Sequence, residues 1–318
     1  MNAVAKEVST ATRAANRYAR CVELSKRNDW QIDADLLRGR DFDFGRKFLP
    51  DGLSLANRFD FLSTDEMRIL SQVQGRTYAY VFGLVERFIS TKMLGQAQGH
   101  SFGDQNAMEA LVRFSAEELK HQELFRRIES MLSARMRPGY VQAAHPNDVA
   151  RAVLAASTWS VLALTCHIEL FVQAHYAESI DPQTDICPVF RDIFRFHWKD
   201  ECQHVVIDEL EWRAESERLG DDERDRAVDD LIGLVGAVDG ILQAQSGADA
   251  DYFVAAMGRA LSDGEMNRLR SGLLAAYRWQ YIISGVRHPH FGRLLTSMTT
   301  PMQMQRIQAA LAPIMADA

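Results

Sequence analysis

The sequence predicts an all-α fold, a four-helix bundle with additional N- and C-terminal helices. Three observations carry this. The eight prolines (Pro50, Pro138, Pro146, Pro182, Pro188, Pro289, Pro301 and Pro313) leave three long proline-free stretches. Long helices can form there, because proline breaks helix interiors. No alternating pattern around Asn-Gly or Asp-Gly announces a β-hairpin. With 47% hydrophobic and 25% charged residues, the 318-residue chain has a globular composition that can bury a sizeable core.

The elements follow in order. Residues 1–62 read as one charged helix and an irregular arm, with Phe42, Phe44, Phe48 and Leu49 free to pack on the body. Ser63-Thr64-Asp65-Glu66 supplies an N-cap and an acidic first turn for a first core helix reaching about Leu94. Gly99–Asp104 reads as a turn and new cap, and a second core helix runs to about Met136, ended by Pro138-Gly139. Helical pattern resumes at Pro146. The second and third core helices of such a bundle run parallel, so the chain must cross its length between Arg137 and about Trp159. Ten extended residues, at ~3.3 Å each, cannot span a helix of about 30 residues at ~1.5 Å each. A separate crossing helix is therefore expected over Asn147–Ala156, with the third core helix starting near Ser157 and ending near Ser179. Asp181–Pro188 is a loop, and the fourth core helix covers Val189–Leu219. Several shorter helices are expected after Gly220, and the acidic Asp221–Asp230 stretch reads as a solvated face. With no low-complexity linker, residues 1–318 are read as one domain: an N-terminal arm at 1–63, a core bundle at about 64–219 and C-terminal helices at 220–318.

Two Glu-x-x-His units, Glu118–His121 and Glu201–His204, stand on the second and fourth core helices. Residues at i and i+3 share a helix side, so each unit can offer a carboxylate and an imidazole to one point. The other two helices each carry a lone acid: Glu86 between Met67 and Gly103, and Glu169 between Val149 and Ala177. An unpartnered carboxylate in an apolar helix is costly to bury. Glu86 precedes Glu118 by 32 positions, and Glu169 precedes Glu201 by 32. The midpoints fall in the two turns already assigned, so all four carboxylates and both imidazoles can meet at one height. Glutamate from two helices with Glu-x-x-His from two others is the carboxylate-bridged di-iron or di-manganese pattern of ferritin-like bundles. Four carboxylates also neutralise two divalent ions, which suits a buried centre. Glu117 and Asp200, each just before a ligand glutamate, can accept a proton from the histidine of the opposite helix.

His197, Glu201, His204 and Asp208 form one stripe at i, i+4, i+7 and i+11, which makes His197 a candidate seventh ligand and Asp208 a supporting acid. The alternative for His197 is a place at the rim, bonded to a backbone carbonyl. His167 points about 160° away from Glu169 and is expected to be structural, as are His288 and His290. Phe82, Phe114 and Thr165 lie one turn before Glu86, Glu118 and Glu169. Gly83 leaves room beside the metals or permits tight helix packing. Cys166 and Cys202 are expected to be small core residues.

The chain resembles the p-aminobenzoate N-oxygenase family of ferritin-like di-iron proteins over about Thr64–Trp212, through these ligands and the added histidine of His197-Trp198-Lys199-Asp200-Glu201-Cys202-Gln203-His204. The resemblance implies two iron ions (manganese is the alternative), O2 as co-substrate and oxygen transfer to an amine nitrogen, and it does not extend to the substrate. No flavin, haem or Fe–S motif is visible, so an external electron donor, a separate reductase or ferredoxin, is expected. Competing expectations are a di-iron C–H hydroxylase or desaturase, and an iron-oxidising or peroxide-scavenging protein.

A net charge of -7 argues against nucleic acid as a partner. The most apolar run, Ala152–Thr165, leads into His167 and Glu169 and reads as bundle core, not as a membrane span. The four cysteines show no CxxC spacing, and residues 1–31 lack the apolar stretch of a secretory signal. Reduced thiols in a cytoplasmic protein are the expectation. The oligomeric state stays open, a homodimer included.

Overall fold

The computed structural model describes residues 2–316, with side chains from Ala14 onward. The described residues form twelve α-helices joined by wider and tighter helical turns and no strand, although one parallel bridge pairs Lys47 with Ile186. Helix α1 (Asn2–Arg27) leads into a wide turn at Ile32–Leu37 and the short α2 (Asp51–Ser54). The arm packs as its aromatic content predicts: Phe42, Phe48 and Leu49 are buried, and Phe44 lies against them.

The bundle itself comprises α3 (Thr64–Gly99), α4 (Gln105–Ser133), the crossing helix α5 (Pro146–Leu154), α6 (Thr158–Ala174) and α7 (Pro188–Arg218). Its four long members are α3, α4, α6 and α7. Their ends lie where the local chemistry puts them. Ser63 Oγ accepts from the Glu66 N–H at 3.3 Å while Glu66 accepts from the Ser63 N–H at 2.8 Å, satisfying two orphan donors of α3. Asp104 caps α4 by accepting from Asn106 and Ala107. The break between α5 and α6 falls at residues 155–157, and α5 is separate from α6 as the length argument requires. The α3–α4 turn holds the register that brings Glu86 beside Glu118, and the loop before α7 does the same for Glu169 and Glu201. Between these helices lies an aromatic core that includes Phe82, Phe114, Phe125 and Phe194. No helix among the described residues is long and apolar enough to cross a membrane.

The C-terminal part departs from expectation. In place of several short helices, α8 (Asp221–Met257) runs unbroken for 37 residues. Then come α9 (Asp263–Arg278), a wide turn at Trp279–Ile283, α10 (Ser284–Val286), α11 (Pro289–Met298) and α12 (Pro301–Met315). Gly233, Gly236, Gly240 and Gly247 lie inside α8, and glycine costs about 1 kcal/mol in a helix interior. Tertiary anchors outweigh them. Asp239 holds the buried Arg278 guanidinium at 2.7 and 2.9 Å, and Asp249 accepts from Thr77 of α3, from Gln245 and from Tyr277. The acidic start of α8 is also more than a solvated face: Asp225 and Asp229 bind Arg306 of α12, and Asp230 accepts from the Ser157 N–H at 2.8 Å.

Candidate metal centre

All seven candidate ligands converge in the bundle interior, each at most 2% exposed. Their donor atoms form two groups, each within 4.8 Å: Glu86, His121, His197 and Glu201 in one, Glu118, Glu169, Glu201 and His204 in the other. Glu201 belongs to both. The third imidazole is inside the site, not at the rim: His197 Nε2 lies 2.9 Å from Glu86 Oε1 and 3.1 Å from Glu201 Oε1. Edge-on contacts from Phe82 and Phe125, both at 5.3 Å, fix its ring.

These donors suit metal ions better than they suit one another. His121 Nδ1 lies 3.3 Å from Glu201 Oε1, 3.6 Å from Glu86 Oε2 and 3.7 Å from Glu118 Oε1, yet it has no hydrogen-bond partner. Both oxygens of Glu118, Glu169 Oε2 and Glu201 Oε1 are likewise buried without partners. Leaving so many polar atoms unsatisfied costs roughly 1–3 kcal/mol each. Lone pairs that crowd together without aiming at one another are placed to share cations. Carboxylate oxygen with imidazole nitrogen is the donor set of iron, manganese and zinc.

The outer hydrogen bonds orient both Glu-x-x-His imidazoles in the same way. His121 turns Nε2 to Asp200 Oδ2 at 3.1 Å, and His204 turns Nε2 to Glu117 Oε2 at 2.9 Å. Each therefore presents Nδ1 to the centre, as a ligating histidine held by a carboxylate does. Four residues that the sequence did not single out extend this shell. Trp30 Nε1 donates to Asp200 at 2.8 Å and Lys120 Nζ pairs with it at 2.8 Å. Ser25 Oγ donates to Glu117 at 2.6 Å, and Gln203 Nε2 does so at 2.8 Å. Ser25 and Trp30 come from the N-terminal arm, where no local signal marks them.

The charges respond to this crowding. Burial alone would lower His121, but Asp200 and Glu86 hold its pKa up at about 9. Burial likewise lowers His204, and Glu201 and Glu117 overcome it, keeping the pKa well above the usual value. Burial and the neighbouring Glu201 push Glu169 well up; Glu201, beside His197 and His204, is held low against its burial. Metal binding must therefore displace protons from His121, His204 and Glu169, so it weakens as pH falls.

Asp208 departs from its expected supporting role. It is fully buried, and both its oxygens lack a partner, so it bonds to no ligand residue. Burial raises its pKa well above the ordinary value, His204 opposes this, and Glu201 adds to it. The folded protein thus binds a proton that the unfolded chain has lost above pH ~3.9, and this group's contribution to stability falls as pH rises. Asp208→Asn buries no ionisable group. Metal-free D208N should gain on wild type as pH rises from 4 to 8, with a difference in Tm that widens by roughly 3 °C or more. A difference that stays flat in thermal melts across that range would mean Asp208 is ionised in the fold.

Other candidates sort clearly. Thr165 bonds the Val161 carbonyl at 2.9 Å and takes no part, while Phe114 stacks on the His204 ring at 3.7 Å. A Cβ on Gly83 would meet Phe125 Cβ at 3.4 Å, an ordinary contact distance, so this glycine lies against α4. Cys166 is buried as expected, but Cys202 is exposed, on the outer side of α7. His167 is buried behind α6, bonded to the Ile282 carbonyl at 3.0 Å, its pKa lowered by burial to about 4. His290 bonds Glu209 at 3.2 Å.

Fold and site together define an all-helical protein with two buried carboxylate–imidazole groups that can hold metal ions. Neither a scan against protein-family models nor a search of curated proteins returns a match.

Proposed function

We propose that this chain is a non-haem di-iron oxygenase of the p-aminobenzoate N-oxygenase type, oxidising a small organic substrate by oxygen transfer to an amine nitrogen. The observation that carries the reading is His197, an added imidazole 1% exposed and facing Glu86 and Glu201 within the site. Iron, when bound, would supply electrons and Lewis acidity for O2 activation. Glu86, His121, His197 and Glu201 would hold one ion and Glu118, Glu169, Glu201 and His204 the other. Asp200 and Glu117 keep the two Nε2 protons, and with them the orientation of both rings. Phe82, Phe114 and Phe125 wall the site against water. N-oxygenation of a primary amine consumes O2, two electrons and two protons and yields a hydroxylamine and water; a separate reductase or ferredoxin supplies the electrons.

The test is single turnover: anaerobically reduced, iron-loaded protein is exposed to O2 with candidate amines. His197→Ala should retain most of its iron while product yield falls at least tenfold. Wild-type yield from this variant would overturn the role of His197. Iron oxidation with no amine product in the wild type would favour an iron-oxidising protein, and hydroxylated or desaturated products would favour C–H chemistry.

A further inference from the structure

The two donor groups differ in charge. Glu118, Glu169, Glu201 and His204 bring three carboxylates and one imidazole, while Glu86, His121, His197 and Glu201 bring two of each. A divalent ion entering the first group therefore meets one more negative charge, in an interior where charge is little screened by salt. The unsatisfied atoms lean the same way. Both oxygens of Glu118 and Glu169 Oε2 lack partners, whereas Glu86 Oε1 is bonded to His197 Nε2 at 2.9 Å.

The carboxylates behind the two Glu-x-x-His imidazoles differ again. Asp200, behind His121, is paired with the Lys120 ammonium at 2.8 Å and also accepts from Trp30. The same ammonium lies 4.0 Å over the Trp30 ring, a cation–π contact that holds it in place. Glu117, behind His204, accepts from Ser25 and Gln203, both neutral. Lys26 and Arg113 stand in the polar hollow outside Glu117, where both pair with Glu109. A carboxylate already neutralised by a cation enriches its imidazole less than one bonded to neutral donors. His204 is therefore the stronger ligand of the two, and a fixed positive charge stands behind His121.

We propose that the two halves of the centre hold their ions unequally. The group of Glu118, Glu169, Glu201 and His204 fills first and keeps its ion. Lys120 makes the ion held by Glu86, His121, His197 and Glu201 the weaker and more exchangeable one. Lys120 ligates nothing; it acts through Asp200 and through its own charge. The inference rests on the presence of two ions in the bundle and not on the reaction they serve.

Manganese(II), added to the chelated full chain, is the probe. The sharp electron paramagnetic resonance signal of an isolated ion should grow up to one equivalent, then decline as a second ion enters and couples to the first. Crystals holding one equivalent should show an anomalous peak among Glu118, Glu169, Glu201 and His204 and none among the other group. The two dissociation constants should differ at least about tenfold, from the one extra carboxylate. The Lys120 side chain is 22% exposed, so Lys120→Met removes the charge without emptying the core. It should tighten the second constant about threefold or more and move the first by less. Lys120→Arg, which keeps the charge, should stay near wild type. Peaks of equal height in both groups at one equivalent, or a second constant that K120M does not tighten, would overturn the proposal and leave the dinuclear centre standing. Failure of the wild type to bind manganese in either group would sink both.

Discussion

Glu201→Ala is expected to abolish metal loading entirely, because Glu201 alone contributes to both groups of donors. Its removal also strips His197 and His204 of their charged partner at 3.1 and 2.9 Å. His197→Ala takes one neutral nitrogen from one group and leaves the other intact. After anaerobic loading with iron(II) and gel filtration, the wild type should carry two ions per chain, H197A more than one, and E201A fewer than about 0.2, from the loss of a charged ligand shared by both sites. Elemental analysis decides it. Full loading of E201A would mean that the ions lie elsewhere.

The second large effect is on stability. Without metal, the bundle buries four glutamates and three imidazoles, and both oxygens of Glu118, one of Glu169, one of Glu201 and His121 Nδ1 stay unsatisfied. Bound cations relieve that strain and bind only the folded chain. Two ions, each at a thousandfold its Kd, would together add about 8 kcal/mol, which corresponds to a rise in Tm of roughly 15 °C or more. Calorimetric melts of chelated and reloaded protein measure this. A shift of under about 3 °C, the size expected of weak surface binding, would argue against a buried dinuclear site. The gain should shrink toward acid pH, because protons on His121, His204 and Glu169 compete with the metal.

Much of this centre was legible because long helices are regular. With turns at Gly99–Asp104 and Asp181–Pro188, the paired 32-residue spacings put Glu86 opposite Glu118 and Glu169 opposite Glu201. Helical periodicity also brought His197 onto the face of Glu201, and the cross-helix bonds of Glu117 and Asp200 followed from the same register. Contacts made across large sequence distances were not legible. Ser25 and Trp30 reach Glu117 and Asp200 over 92 and 170 residues, through docking of an arm whose sequence carries no metal signal. Asp208 shows the limit of stripe arguments: it keeps the right spacing on α7, yet both its oxygens are buried without a hydrogen-bond partner. Helix α8 misled for a further reason. Its glycines lower intrinsic helicity, while the Asp239–Arg278 pair and the Asp249 cluster, invisible locally, anchor it as one unbroken helix.

The central claim is two metal ions at defined places in the bundle, and anomalous diffraction at the iron edge from anaerobically loaded crystals tests it most directly. The account predicts two peaks, one among Glu86, His121, His197 and Glu201, the other among Glu118, Glu169, Glu201 and His204. Loaded crystals with no peak there, or with a single ion held outside the α3–α4–α6–α7 bundle, would contradict it.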